Sequence, residues 1–451
     1  MDAAATVTIT EQGGAARRPR VLLIAEAANP EWVSVPLIGW SLAEALRQVA
    51  DVHLVTQVRN RDAILRKGWV EGRDFTAIDN EAIAAPAWRL SQWLRMGENR
   101  GWTVVQAVTS LTYPLFERMV WKRFGPAIRA GDYDVVHRIT PLSPAASGKL
   151  ATFCKRAKVP FVLGPLNGGV PWPREFLAER KQEGEWLSPF RKIVRLLPGR
   201  RRMLSDCAAI LYASRFTLAD IPPRHLDRCI YLPENAIDPS RFFQQANPEP
   251  GRLRACFIGR FVPLKGLSML IEAARPLLAS GRMELHLIGD GPLTPALREH
   301  ASGLDTVHFH GWRQHHEVQD IASGCNVFAF PSVREFGGGA VLEAMALGLA
   351  PIVVDYGGPA DLITSGTGLK VPLGPREEIT QALRTALQRL ADDPESAARM
   401  GIAARDRVAT HFTWQRRAEQ IAEIYDWVLG HRATRPEPFP QPEIARLPGS
   451  N

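Results

Sequence analysis

Short apolar runs alternate with helical segments twice along this chain, and that double alternation leaves few architectures open to it. The first series is PRVLLIAEA, DVHLVTQ, DYDVVHRI and VPFVLGPL, with the helical stretch SLAEALRQV between the first two. The second is LRACFIGR, MELHLIGDG, VHFHGW, CNVFAFPS, LAPIVVDYGG and GLKVPLG. Runs this short, closed by turn residues, read as buried strands, and intervening helices impose parallel pairing. The reading is α/β: two Rossmann-like, doubly wound domains facing each other across a cleft, with ligands at the carboxyl ends of the strands. A length of 451 residues accommodates two or three domains.

The same pass places the boundaries. Residues 1–18 are small and polar and are expected to be disordered. Residues 19–238 form the first domain, with a Trp-rich helical insertion over 60–130. The segment PSRFFQQANPEPGR (239–252) is a linker and 253–412 the second domain. A closing helix over 413–431 and a Pro-rich tail over 432–451, expected to be loose, complete the chain.

Composition removes several classes. With 45% apolar and 23% charged residues the chain is neither fibrous nor wholly disordered. Its five cysteines are odd in number and lack CxxC spacing, which argues against a disulfide framework or a cysteine zinc site. No apolar run opens the sequence, and none reaches the ~18 charge-free residues of a membrane span. A cytoplasmic protein is expected. Its formal charge of +8 is lopsided, since residues 1–240 hold 33 Lys/Arg against 24 Asp/Glu, whereas 241–451 hold 22 against 23. FRKIVRLLPGRRR (190–202) contributes six cations interleaved with apolar residues. It reads either as a patch for the inner, anionic face of a membrane or as an ordinary basic helix. No helix-turn-helix, zinc or RRM signature supports a nucleic-acid partner.

The chemistry concentrates in the second half. CFIGRFVPLKG puts Gly259 and Arg260 directly after a strand and Lys265 at the start of a helix, an arrangement suited to a diphosphate. IGDGP has Thr294 where a dinucleotide fingerprint needs its third glycine, so a nicotinamide reading fails, and Asp290 reads as a turn residue. In VREFGGGAVLEAMALG, Glu335 and Glu343 flank seven residues, and Gly337, Gly338 and Gly339 open a helix with free amides. Glu343 is placed to accept from vicinal hydroxyls and Glu335 to meet a sugar ring. No Asp-x-Asp stands at a strand end, so no metal ligand set is expected there.

Taken together, GRFVPLKG, IGDGP, the Glu335-x7-Glu343 element and DYGGPAD resemble the donor domain of family 4 retaining glycosyltransferases, the group 1 glycosyl transferases of GT-B fold. PENAIDPSRF (233–242) is similar to that family's segment just before the donor domain. The resemblance implies a metal-independent retaining transfer from a UDP- or GDP-sugar, with no cofactor, to a hydroxyl acceptor such as a glycan or a lipid-linked polysaccharide precursor. It implies that Arg260 and Lys265 hold the diphosphate, Glu343 the ribose, Glu335 the sugar, and the Gly338 and Gly339 amides the sugar or phosphate. The backbone around Gly311, Trp312 and Arg313 would line the base. His137, at the end of DYDVVHRI, is similar to the family's active-site histidine, and Asn167, Gly168 and Gly169 in GPLNGGVPWP would approach donor or acceptor. The sequence departs from the family after its first strand, where VSVPLIGW offers only Gly39 in place of a glycine pair. A nucleotide-sugar epimerase of the same fold and a catalytically silent nucleotide-sugar-binding module are the alternatives; the intact charged set argues against the second.

Overall fold

A computed structural model describes residues 17–82, 86, 89, 102–182 and 198–439. The expectations for residues 1–16, 190–197 and 440–451, and for 83–85, 87–88 and 90–101 of the insertion, lie outside them. Two parallel sheets organise the chain. The first has the order β3-β2-β1-β4-β5-β6-β7, from β1 (Arg20–Ala25), β2 (Asp51–Gln57), β3 (Phe75–Ile78), β4 (Val135–Thr140), β5 (Phe161–Leu166), β6 (Ala209–Tyr212) and β7 (Cys229–Tyr231). The second runs β10-β9-β8-β11-β12-β13, from β8 (Leu253–Ile258), β9 (Met283–Ile288), β10 (Val307–Gly311), β11 (Val327–Phe330), β12 (Ala350–Val354) and β13 (Leu369–Val371). Central strands such as β1, β4, β5 and β12 are buried along nearly their whole length, because helices cover both faces. Each sheet reverses its strand order once, at β1/β4 and at β8/β11. Crevices open outside the carboxyl ends of the strands at such points.

Three expectations are corrected here. The stretch 60–130 is not simply helical: it contributes β3 as an edge strand beside β2, together with the helices Arg61–Arg66 and Trp102–Ala130. The tail is docked as far as Phe439. Phe439 is buried against Tyr231 and Phe412, and Arg435 donates to the carbonyls of Leu226 and Asp227. Arg17, placed in the disordered segment by composition, instead makes two hydrogen bonds to Asp134 at 2.9 Å.

The chain crosses between the two halves twice, and the crossings lie side by side. Ile237 donates to the Phe412 carbonyl at 2.7 Å, and Trp414 donates back to Ile237 at 3.2 Å. The helix Trp414–Val428, capped by Thr413, then packs on the helix Val35–Leu46 of the first half. The second half thereby returns an element to the first.

Candidate functional site

Two glycine turns build the donor side. After β8, Gly259 (φ 148°) lets the chain turn beneath Gly289, whose added Cβ would strike the Gly259 carbonyl. The chain then enters the helix Leu267–Ala279 through Gly266 at φ 69°, packed so closely on the Pro331 carbonyl that a side chain there would collide. After β11, Gly338 at φ 67° opens the helix Gly339–Ala346 in the same left-handed conformation. Val333 donates to the Leu264 carbonyl at 2.9 Å, which stitches the two turns together. Two helix N-termini, each with unsatisfied amides and a partial positive charge, therefore stand beside one another.

Onto this frame the sequence hangs its cations. Arg260 is exposed, and its guanidinium makes no hydrogen bond or ion pair among the described residues. Lys265 is half-buried, lies over the Phe330 ring at 4.6 Å and pairs with Glu335. The motif residues 70 positions apart are thus in contact. Glu343 is half-buried in its helix, and burial pushes its carboxyl up to about 7 against the lowering influence of Arg241. Gly311, at φ 69°, receives the Gly289 amide on its carbonyl at 2.8 Å, and beside it Trp312 is 74% exposed. Arg313 pairs with Glu317 at 3.1 Å. Asp290 accepts from Gly291 at 2.7 Å and from Thr294, an internal turn role.

The opposite wall comes from the loop after β5. Asn167 is buried and donates to Glu234, Gly168 (φ 139°) offers its carbonyl to Thr217 at 3.0 Å, and Gly169 (φ 79°) lies against Asp220. From there the loop reaches the second half: Arg334 donates to the Val170 carbonyl at 3.1 Å and stacks on Trp172, while Tyr356 donates to Pro171 at 3.0 Å. The helix Leu177–Gln182 packs against the Pro263–Lys265 turn. Asn167, Gly168 and Gly169 therefore share one cleft with Lys265 and Glu335.

Glu234 is the residue the motif reading passed over. It is 3% exposed, accepts from Asn167 and from Asn235 at 3.0 Å, and sits where any side chain on Gly337 would have to go. Burial pushes it up to about 7, with the charge of Glu335 adding to the shift. Its segment, PENAIDPSRF, was in view; its pairing with Asn167, 67 positions upstream, was not.

His137 does not belong to this site. It is fully buried, with Nδ1 bonded to the Tyr425 hydroxyl and Nε2 to the Gly164 carbonyl, both at 2.7 Å. Burial pushes its pKa down to about 4. A ring with both nitrogens committed inside the protein has none left for a sugar; it ties β4 to the returning C-terminal helix. Arg200 is likewise withdrawn from the basic surface: it is 3% exposed and donates to the carbonyls of Pro144 at 2.9 Å and Asp220 at 2.8 Å. Arg201 and Arg202 are exposed.

Residues 252–389 match the family model "Glycosyl transferases group 1". That stretch of the chain resembles the family. Its relatives include α-maltose-1-phosphate synthase of Mycolicibacterium smegmatis, 29% identical over 293 residues, which are 58% of this chain and 70% of that protein. Another is the GDP-mannose-dependent α-mannosyltransferase of Mycobacterium tuberculosis, 29% identical over 318 residues, 68% of this chain and 77% of that protein. Among solved structures, sucrose-phosphate synthase from Thermosynechococcus elongatus superposes with a TM-score of 0.59 at 18% identity, covering 92% of this chain and all of that one. Anabaena HepE, solved with UDP and glucose, gives 0.53 at 15% identity over 91% of this chain and all of its own. These likenesses establish the GT-B fold, and the match over residues 252–389 supports a glycosyltransferase. Among the described residues no helix is long and apolar enough to cross a membrane.

Proposed function

We propose that the protein transfers a sugar from a nucleotide-diphosphate sugar to a hydroxyl acceptor, with retention of configuration and without a metal ion. The observation that carries this reading is the juxtaposition of Arg260 and the Lys265–Glu335 pair with two glycine-opened helix N-termini. Together they offer what a departing diphosphate needs: fixed donors and cations whose value grows as negative charge develops. Glu335, held by Lys265, faces the sugar, Glu343 takes the ribose hydroxyls, and the turn at Gly311–Trp312–Arg313 the base. In the transfer the bond from the anomeric carbon to the phosphate oxygen breaks as the acceptor oxygen bonds to the same face. The acceptor proton passes to the departing phosphate. This front-face route fits the carboxylates present: Glu335 is committed to Lys265, and Glu234 is buried with its acidity weakened. Two relatives are named for α products, and common nucleotide hexoses are α-configured, which agrees with retention.

The acceptor we favour is a lipid-linked or polysaccharide precursor. Attachment to an anionic membrane face through 190–202 would rest on Arg201 and Arg202 among the described cations, because Arg200 serves inside the fold. The test is a thermal-shift panel of UDP- and GDP-sugars in EDTA, followed by NMR of the anomeric proton of the product. One donor family should raise the melting temperature by mass action, and the product should keep the donor's configuration. An inverted product, or a strict requirement for Mg²⁺ or Mn²⁺, would overturn the proposal.

A further inference from the structure

Away from the cleft, the outer strands of the second sheet carry a cluster that the transfer does not use. Glu284 and His286 are two apart on β9, so they share a face. His308 of β10 stands in register beside His286. The neighbours Met283, Leu285 and Leu287 are buried on the opposite face, whereas Glu284 and His286 are half-buried. One ligand atom from each of Glu284, His286 and His308 lies within 4.8 Å of the others. The separation between His286 Nε2 and Glu284 Oε2 is 3.7 Å. Ligands at 2.0–2.1 Å around a tetrahedral ion sit about 3.4 Å apart, so small side-chain adjustments would bring the three together.

The hydrogen bonds are arranged as a ligating histidine requires. His286 Nδ1 meets Nε2 of His310 at 3.0 Å, while His286 Nε2 is buried without a partner. With the Nδ1 proton given to His310, the Nε2 lone pair points at the space between Glu284 and His308. An acceptor on the ring's other nitrogen fixes the tautomer of a metal-bound imidazole. Burial, reinforced by the neighbouring His308 and His310, pushes His286 down to about 4, and burial also lowers His310. Glu284 is oriented by Arg252 at 2.8 Å and Arg254 at 2.9 Å. Each oxygen of an ionised carboxylate has a further lone pair to give.

We propose that Glu284, His286 and His308 form a divalent transition-metal site of the zinc class, with His310 positioning His286 and water completing the coordination. Two imidazoles and a carboxylate suit zinc better than the hard cations magnesium or calcium. Such an ion would fasten the edge strand β10 to β9. It is distinct from the diphosphate cleft, whose proposed chemistry uses no metal, and its test does not depend on that chemistry.

The experiment uses untagged full-length protein stripped with EDTA and exchanged into chelator-free buffer at pH 7.5. ZnCl₂ is titrated by calorimetry, and melting is followed with and without zinc. One zinc per chain and a melting temperature that rises with zinc concentration are expected. His286→Phe keeps a stacked ring but removes the ligand and should abolish binding; His310→Phe should weaken it about 10–100-fold. Glu284→Gln, which leaves all three rings in place, should weaken it at least tenfold and carries the test if His286→Phe does not fold. Absence of stoichiometric binding by the wild type, or unchanged affinity in the folded variants, would overturn the proposal and leave only a stack of histidines.

Discussion

Replacing His137 by Phe separates a catalytic histidine from one that holds the halves together. The ring volume is kept and both hydrogen bonds are lost, leaving the Tyr425 hydroxyl and the Gly164 carbonyl buried without their partner. Each orphaned group costs about 1–3 kcal/mol, so the variant should lose about 2–6 kcal/mol at pH 7.5. The pH dependence gives a sharper signature. His137 is held near 4 when folded against 6.5 when exposed, so it is neutral in the folded protein while the unfolded chain takes up a proton. Its contribution is fully present above pH 6.5 and is lost as pH falls towards 4. Between pH 7.5 and 5 that loss amounts to about 2 kcal/mol. The stability gap between wild type and His137→Phe should narrow by this amount over the same range. Comparing the two proteins cancels the other titrating groups, and urea unfolding followed by far-UV circular dichroism measures the gap. Turnover well below the unfolding transition should stay within about twofold of wild type. A variant with wild-type stability whose kcat falls a hundredfold would return His137 to the active site; a gap that does not change with pH would refute the account of its burial.

Other outcomes follow from the same geometry. Arg260→Ala and Lys265→Ala should each lower kcat/KM by about 2–4 kcal/mol, the scale of one transition-state donor, with the fold kept; near-wild-type turnover in both would remove the diphosphate assignment. Glu234 is raised to about 7 from 4.5, so its burial costs stability increasingly as pH rises through that interval; Glu234→Gln should gain relative to wild type in urea unfolding between pH 5 and 8. EDTA should leave transfer unchanged at low temperature even where it lowers the melting point by stripping the proposed zinc; loss of transfer reversed only by Mg²⁺ or Mn²⁺ would contradict this. Arg201→Gln with Arg202→Gln should weaken sedimentation with anionic vesicles at low salt, whereas Arg200→Ala should lower the melting temperature, because two carbonyls lose their donor.

What could be read from the sequence was whatever a short stretch of chain decides by itself. Burial on both faces makes a parallel strand a near-continuous apolar run, so β1, β5, β11 and β12 announced themselves. The glycine turns at 259–266 and 337–339 did so too, because a left-handed residue before a helix is a local demand. β3 escaped notice: an edge strand of four residues, FTAI, has no such run and borrows its identity from β2.

The misread charged and polar residues share a different cause. His137 and Arg200 sit in segments whose motif or charge suggested one role, Glu234 in one whose motif gave it none, and in each the fold decided through a partner far along the chain. For His137 that partner is Tyr425, 288 positions away; for Glu234 it is Asn167, 67 positions away; for Arg200 it is the Pro144 carbonyl, 56 positions away. A polar group that the fold buries must find a hydrogen bond or cost its desolvation, and which group is buried depends on where the two halves meet. The closing helix sets that meeting. It brings Tyr425 to His137 and the buried Arg417 to the Asn235 carbonyl, beside Glu234. The polar chemistry of the inter-half region is thus fixed by the last long helix of the chain, and a reading that treats the two halves separately will assign its residues to the wrong tasks.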